Sequence, residues 1–182
     1  MASAVPASKV VADPFEFPLV GSLDPNTTAL LVIDFQRDFT EEGGYVTGMG
    51  YDITPLAAPI PIAAEVLAAC RKVGMHIIFT RQGFRADLAD LTEYEIAKFA
   101  RAGVVVGSEG PLGKFFVRGQ PGWEINPKVA PLETETIVDK TANCAFVGTD
   151  LDLILKSKGI DRLVVVGNTL DCCVHCTKSL EE

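Results

Sequence analysis

Two adjacent cysteines follow a short apolar segment near the end of the sequence. The segment is a run of three valines, Val164 to Val166, that stops at Gly167; Cys172 and Cys173 come after a polar turn. A β-branched run this short is typical of a strand buried on both faces of a parallel sheet. Open α/β sheets bind ligands at the carboxyl ends of their strands, and the free N–H groups of a helix start can activate a thiol and bind an oxyanion. The pattern fits a cysteine nucleophile or a pair of structural core cysteines.

Two other predicted strands also end at a residue that can do chemistry. Asp34 follows the apolar run 29–33, and Lys140 follows the run 136–139. Because parallel strands bring their carboxyl ends to one edge of the sheet, an acid, a cation and a thiol can converge there. These groups suit nucleophilic attack on a carbonyl, in which a base and a positive charge activate the thiol. Taken singly, Asp34 could cap the next segment and Lys140 could be a solvated strand end.

Strands alternate with helical patterns along the chain, which predicts an α/β sheet with parallel crossovers. The predicted strands are 29–33, 77–80, 136–139 and 162–167. The predicted helices are 54–74, 92–103 and 149–158. The buried stripe of the first helix is predicted to be Ile62, Val66, Leu67 and Cys70, and the second helix begins with a capping box at Thr92. The segment 103–131 is rich in glycine and proline and is predicted to be a long functional loop.

The composition is that of a globular domain. The chain has 182 residues, of which 48% are hydrophobic and 22% are charged. Its formal net charge of −8 disfavours nucleic-acid and anionic-membrane surfaces, because both require clustered lysine and arginine. No apolar run reaches the roughly 18–20 residues that span a bilayer, and the N-terminus shows no secretory signal. Five cysteines cannot all pair, so we expect reduced thiols and a cytoplasmic location.

The domain organisation is predicted from the proline content at the start. Residues 1–25 contain four prolines and show no hydrophobic periodicity, which predicts an N-terminal arm. Residues 26–182 then form the folded domain.

Three motifs carry a resemblance to a known family. They are Val32-Ile33-Asp34-Phe35-Gln36 with Asp38-Phe39, Asp139-Lys140 followed by Ala145-Phe146, and Gly167-x-Thr169-x-x-x-Cys173-Val174. In these motifs the chain resembles the isochorismatase-like cysteine hydrolases, from about residue 28 onward. The segments 49–52, 86–91 and 118–123 are most similar to the biuret hydrolase and ureidoacrylate amidohydrolase branch.

The resemblance implies a fold and an activity. The expected fold is α/β, a doubly wound and mainly parallel sheet with helices on both faces in a Rossmann-like, three-layer arrangement. Family members continue with about two further strand–helix units after the segment that ends here at Glu182, so we expect these units to be lacking and strand 162–167 to be an exposed edge. The expected activity is that of an amidohydrolase that cleaves a C–N bond of a small amide, ureido or carbamoyl compound through a thioester.

The resemblance also implies the site. The catalytic residues would be Asp34 as general acid/base, Lys140 and Cys173, with Cys173 preferred to Cys172 because it directly precedes the valine of the family pattern. The oxyanion hole would consist of the backbone N–H groups of Thr169 and Cys173, after a cis peptide at Asn168–Thr169. Candidate substrate-binding residues are Gln36, Phe39, Arg81, Asn143, Phe146 and Asn168.

Expected partners and alternatives complete the prediction. We expect no cofactor and no catalytic metal, a small-molecule substrate, and a homo-oligomer in which the arm and the loop around Trp123 pack against a neighbouring subunit. One alternative is a catalytically inactive or truncated scaffold that acts in binding or regulation. A second is a metal site formed by Cys172, Cys173, His175 and Cys176, although adjacent cysteines on one helix cannot all face one ion.

Overall fold

Four parallel strands form the sheet at the centre of the molecule. The computed structural model describes residues 9, 11, 13–18 and 23–179. The strands of this sheet are β1 (Thr28–Ile33), β2 (His76–Gln82), β5 (Thr136–Lys140) and β6 (Arg162–Gly167), and a separate hairpin consists of β3 (Glu109–Gly110) and β4 (Gly113–Lys114). The helices are α1 (Arg37–Thr40), α2 (Tyr45–Gly48), α3 (Thr54–Ala57), α4 (Ile60–Lys72), α5 (Glu93–Arg101), α6 (Leu151–Ser157) and α7 (His175–Lys178), with a π-helical turn at Leu170–Val174 and 3₁₀ turns at Pro121–Trp123 and Pro127–Val129.

The order of the strands in the sheet is β5-β2-β1-β6, and all three pairings are parallel. Ile33 at the end of β1 lies opposite Thr80 of β2 and Gly167 of β6, and Gln82 lies opposite Lys140 of β5. Gly167 permits this close pairing, because a Cβ there would lie 2.5 Å from the Ile33 carbonyl oxygen. The predicted convergence of strand ends at one edge is therefore confirmed.

Both faces of the sheet are covered by helices, as predicted. Side chains of β1 alternate between the two faces: Leu30 and Val32 pack with α4, whereas Leu31 and Ile33 pack with α6 and the π-helical turn. All six residues of β1 are buried. A fully apolar central strand is what two helical layers require, since neither face is left to solvent.

The predicted helix 54–74 is in fact two helices. The chain breaks between α3 and α4 at Pro59, which has no N–H to donate, although Ala58 and Pro59 keep helical backbone angles. The predicted stripe was wrong at Ile62, which is 66% exposed, because Ile60 and Ala63 face the core instead. The capping box at Thr92 is confirmed. Within the described residues, no helix has the length and apolar character needed to cross a membrane.

The segment 103–131 has little regular structure, as predicted, apart from the β3–β4 hairpin and short 3₁₀ turns. Contact of the loop around Trp123 with a neighbouring subunit stays a prediction, but Trp123 itself packs within its own chain. Its side chain is only 5% exposed, and the Arg81 guanidinium lies 3.6 Å from its ring centre. The chain therefore buries Trp123 by itself. Most of the predicted arm, 1–25, lies outside the described residues.

Candidate active site

A buried ion pair joins the carboxyl ends of β1 and β5. Asp34 Oδ2 lies 2.7 Å from Lys140 Nζ, and neither side chain is exposed. The Thr80 hydroxyl donates a 2.6 Å hydrogen bond to Asp34 Oδ1, and Lys140 Nζ donates to the Ala142 carbonyl at 3.2 Å. Apart from the ion pair, Oδ2 accepts no hydrogen bond from the described residues. This oxygen can therefore still accept a proton.

The backbone conformation of Asp34 and the charges around the ion pair determine its position and the protonation of Lys140. Asp34 has a backbone φ of +52°, a left-handed conformation that residues other than glycine rarely adopt. This conformation turns the chain at the end of β1. Burial lowers the pKa of Lys140, but the negative charge of Asp34 and the hydrogen bond to it raise that pKa, and the net shift is upward. Lys140 therefore stays protonated at neutral pH.

Cys173 lies in the π-helical turn directly after β6 and is 5% exposed. Its Sγ lies 3.0 Å from Gln82 Oε1, to which the thiol donates. The Gln82 amide cannot be turned round, because its Nε2 donates to the carbonyl of Thr141 at 3.0 Å and to Asn143 Oδ1 at 3.1 Å. The orientation of Gln82 therefore holds Cys173 as a protonated thiol. We call Asp34, Thr80, Gln82, Lys140 and Cys173 the polar cluster.

The pKa values of the neighbouring thiols Cys172 and Cys173 depend on each other. A hydrogen bond with Cys172, burial and the charge of Asp34 all raise the pKa of Cys173, whereas the charge of Lys140 lowers it. The same hydrogen bond lowers the pKa of Cys172. However, Cys173 has one S–H hydrogen and cannot donate it to Gln82 and Cys172 at once. With that hydrogen on Gln82, Cys172 loses its main stabilisation as a thiolate, and burial beside Asp34 still keeps the pKa of Cys173 raised.

The turn between β6 and Cys173 has the predicted cis peptide at Asn168–Thr169. The Asn168 N–H donates to the Ile33 carbonyl at 2.9 Å, and its side-chain Nδ2 donates to the Leu56 carbonyl at 3.3 Å. The N–H groups of Cys172 and Val174 both donate to the Thr169 carbonyl. These bonds hold the backbone of Thr169 and Cys173, the predicted oxyanion donors, beside the thiol.

A cavity of about 260 Å³ opens above Cys173. Its polar lining comes from the turn, from Gln82 and from Asn143. Four aromatic residues, which we call the aromatic wall, supply half of the rest: Phe39, Tyr45, Phe99 and Phe116. The lining is completed by Val46, Met49, Lys98 and Cys172. Asp34 and Lys140 do not line the cavity, but both interact with the side chain of Cys173.

The aromatic wall is held together by ring contacts and by a buried carboxylate. The Phe116 ring lies 4.9 Å from that of Tyr45 and 5.8 Å from that of Phe99, centre to centre. Asp38 accepts hydrogen bonds from the N–H groups of Tyr45 at 3.1 Å and Phe116 at 3.0 Å. Burial raises the pKa of Asp38, although these two hydrogen bonds lower it. Asp38 thereby ties α2 to the loop that carries Phe116.

Three of the predicted substrate-binding residues, Phe39, Asn143 and Asn168, line the cavity. The structure places the other three, Gln36, Arg81 and Phe146, outside the lining of this cavity. The amide of Gln36 is fully used by the backbone of Gln82 and Trp123. Arg81 pairs with Asp139 and Glu124. Phe146 packs with the core around α6 and does not line this cavity.

Sequence reasoning missed two members of the polar cluster. Side chains of a strand alternate, so Arg81 and Gln82 point to opposite faces of β2. The buried Thr80 and Gln82 share the face of Asp34 and Cys173, whereas Arg81 lies on the face of Trp123. Arg81 was predicted as a site residue because it is the charged residue at the end of the strand. The alternation of side chains along a strand could have identified Gln82 instead. No comparable signal marks the residues that α2, α5 and the long loop add to the cavity.

The cysteine–histidine cluster does not form a metal site in the described part of the chain. No group of three or more histidine, cysteine, aspartate or glutamate side chains is placed there to hold an ion. Cys172 and Cys173 both line the cavity.

Comparisons with known proteins show which proteins this chain is similar to. The sequence is 29% identical over 158 residues to the ureidoacrylate amidohydrolase RutB of Caulobacter segnis, covering 85% of this chain and 66% of that protein. The chain spans about two thirds of the length of the curated relatives it matches, between 63% and 66% for three of them.

Solved structures and a family profile give the same result. The fold superposes with a TM-score of 0.73 on a cysteine hydrolase from Pseudomonas syringae, at 25% identity and with 87% of this chain and 67% of that chain covered. An isochorismatase family protein from Desulfovibrio vulgaris superposes with a TM-score of 0.67, at 29% identity and with 85% of this chain and 76% of that chain covered. The Isochorismatase domain profile matches residues 28–178. The chain therefore belongs to the isochorismatase family.

Proposed function

We propose that the polar cluster and the cavity above it form a cysteine amidohydrolase site. The substrate is a small amide, ureido or carbamoyl compound, and the reaction passes through a thioester on Cys173. The observation that carries the proposal is the position of Cys173, with its thiol beside the Asp34–Lys140 ion pair and at the base of an aromatic cavity. The similarity to ureidoacrylate amidohydrolases supports the same reaction class.

The reaction begins with the proton of the thiol. Asp34 takes this proton on Oδ2, and Lys140 stabilises the charge of the resulting thiolate. Sγ attacks the substrate carbonyl, and the carbonyl oxygen becomes an oxyanion beside the N–H groups of Thr169 and Cys173. Such donors act on charge that develops in the transition state, and losing one typically costs about 10²–10³ in rate.

The second half of the reaction releases both products. Asp34 returns its proton to the nitrogen that leaves as ammonia or an amine, and the C–N bond breaks to give the thioester. Asp34 then takes a proton from water, whose oxygen attacks the thioester carbonyl. Collapse of this second intermediate releases the acid and restores the protonated thiol. Because Asp34 acts first as base and then as acid in each half, its replacement by asparagine stops both halves.

The test is an ammonia-release assay over biuret, ureidoacrylate, N-carbamoyl amino acids and nicotinamide, with three variants. Cys173→Ala is expected to lower release by at least about 10⁴-fold, as loss of a nucleophile does elsewhere. Asp34→Asn is expected to remove turnover, whereas Cys172→Ala retains much of it. Mass spectrometry of the acid-quenched enzyme should find the acyl group on Cys173. Activity that survives in Cys173→Ala but not in Cys172→Ala would contradict the assignment.

A further inference from the structure

One cation stands out in the cavity. Among the described residues that line it, Lys98 is the one basic residue, and none is acidic. Lys98 lies on α5, beside Phe99 of the aromatic wall, and its Nζ is 5.7 Å from the centre of that ring. A largely aromatic cavity therefore has a single positive charge at a distance from the reacting thiol.

Lys98 has no carboxylate partner in the described part of the chain, where no acid lies within 4.0 Å of its Nζ. Its neighbour Glu95 is used by the capping box, in which its carboxylate accepts from the N–H and hydroxyl of Thr92. In contrast, Arg118 pairs with Asp90 at 3.9 Å, and Lys140 pairs with Asp34. The charge of Lys98 is thus left available to a ligand.

The position of Lys98 also puts its charge within reach of a substrate. Lys98 and Phe99, with Gln82 and Asn143, line both the cavity over Cys173 and an adjoining cavity of about 300 Å³. Besides the hydrogen bond from Cys173, which is lost when that thiol donates to Gln82, the charge of Lys98 lowers the pKa of Cys172. The field of Lys98 is therefore felt beside the nucleophile.

We propose that Lys98 determines specificity by binding a carboxylate of the substrate, so that the site selects amide or ureido compounds that carry an acid group away from the scissile bond. This inference rests on the proposed function for the reaction and adds the substrate class. The side chain of Lys98 is exposed, and the chain as a whole has a net charge of −8 that disfavours anions elsewhere on it. A neutral substrate such as biuret gains nothing from Lys98.

The kinetic test uses matched acid and amide substrates with variants of Lys98. N-carbamoylglycine and N-carbamoyl-β-alanine are compared with their uncharged amides in the wild-type chain, Lys98→Gln, Lys98→Arg and the control Lys72→Gln. Lys72 is exposed at the end of α4 and lines none of the cavities described here. We expect Lys98→Gln to lower kcat/KM about tenfold more for the acids than for the amides, chiefly through KM, and Lys98→Arg to restore most of the difference.

A binding test separates this inference from the proposed function. Calorimetry measures the affinity of the inert Cys173→Ala chain for N-carbamoylglycine and its amide, with and without Lys98→Gln. If no variant releases ammonia but the acid binds about tenfold more weakly without Lys98, the proposed reaction fails and the role of Lys98 stands. If turnover is found, and Lys98→Gln lowers kcat/KM equally for acids and amides, the proposed reaction stands and the role of Lys98 fails. If the Cys173→Ala chain binds neither compound, the inference is wrong.

Discussion

The polar cluster and the aromatic wall meet at the same cavity but are built in different ways. The polar cluster comes from strand ends and the turn after β6, and its members are fixed by an ion pair and by hydrogen bonds of 2.6 to 3.0 Å. The aromatic wall comes from short helices and a long loop, and its members are fixed by ring contacts 4.9 to 6.0 Å apart. The cluster is almost fully buried, whereas α5 has no buried residue.

This difference separates the two tasks of a catalytic site. Reacting groups must be held within a fraction of an ångström, and a parallel sheet provides that precision because neighbouring strands fix one another. Substrate selection requires a surface that can change shape and charge without disturbing the chemistry, which loops and short helices provide. The following variants change one region at a time.

The largest effect on stability is expected from Lys140→Met, which leaves the Asp34 carboxylate buried without its partner. Loss of one member of a buried ion pair typically costs about 3–5 kcal/mol of unfolding free energy. Urea denaturation measures the cost. Adding Asp34→Asn to this variant is expected to recover much of it, because the double variant has no buried charge.

The chain contains a matched control for this prediction. Lys156 and Asp152 on α6 form an ion pair with the same 2.7 Å distance, but their side chains are 74% and 59% exposed. Lys156→Met should therefore cost no more than about 0.5 kcal/mol. Equal losses of unfolding free energy in Lys140→Met and Lys156→Met would show that burial does not determine how much the Asp34–Lys140 pair contributes to stability.

In the aromatic wall, Phe116→Leu is expected to lower the unfolding free energy by about 1–3 kcal/mol. The ring is 3% exposed and contacts the rings of Phe39, Tyr45, Phe84 and Phe99; such pairs add about 0.5–1.5 kcal/mol each beyond burial. The polar cluster should be unaffected, so the rate of Cys173 alkylation by iodoacetamide is expected to stay close to that of the wild type. A large change in that rate would show that the wall also positions the thiol.

Sequence patterns predicted much of the polar cluster and little of the aromatic wall. Strand ends are recognisable because a buried strand is a short apolar run, so Asp34, Lys140 and the cysteine pair could be placed at one edge before the structure was known. Lys98 and Phe116 come from segments whose path depends on tertiary contacts, such as the hydrogen bonds of Asp38. The break at Pro59 was missed because hydrophobic spacing continues through it.

Asp38 gives the aromatic wall a pH dependence. Its folded-state pKa is raised, chiefly by burial, so its contribution to stability is fully present below its unfolded value near 3.8 and is lost as pH rises through the folded pKa. Asp38→Asn removes this titration and one of two backbone hydrogen bonds, at a cost of about 1–2 kcal/mol. The stability advantage of the wild type over Asp38→Asn should therefore be larger at pH 4 than at pH 7 in urea denaturation. A stability advantage of the wild type that grows towards pH 7 would show that folding lowers the pKa of Asp38.

The smallest effect is expected from the capping box that positions α5, the helix of Lys98 and Phe99. The Thr92 side chain accepts from the Glu95 N–H at 3.2 Å, and Glu95 accepts in return from the Thr92 N–H at 2.9 Å. Thr92→Ala removes the first bond, which typically costs about 1 kcal/mol. Because α5 has no buried residue, the loss should appear locally, as faster amide hydrogen exchange in its first turn and a higher KM for acidic substrates, with the Cys173 alkylation rate unchanged. Thr92→Ser keeps the hydroxyl and should behave like the wild type; faster exchange in both variants would mean that the methyl group, and not the cap, holds α5 against the cavity.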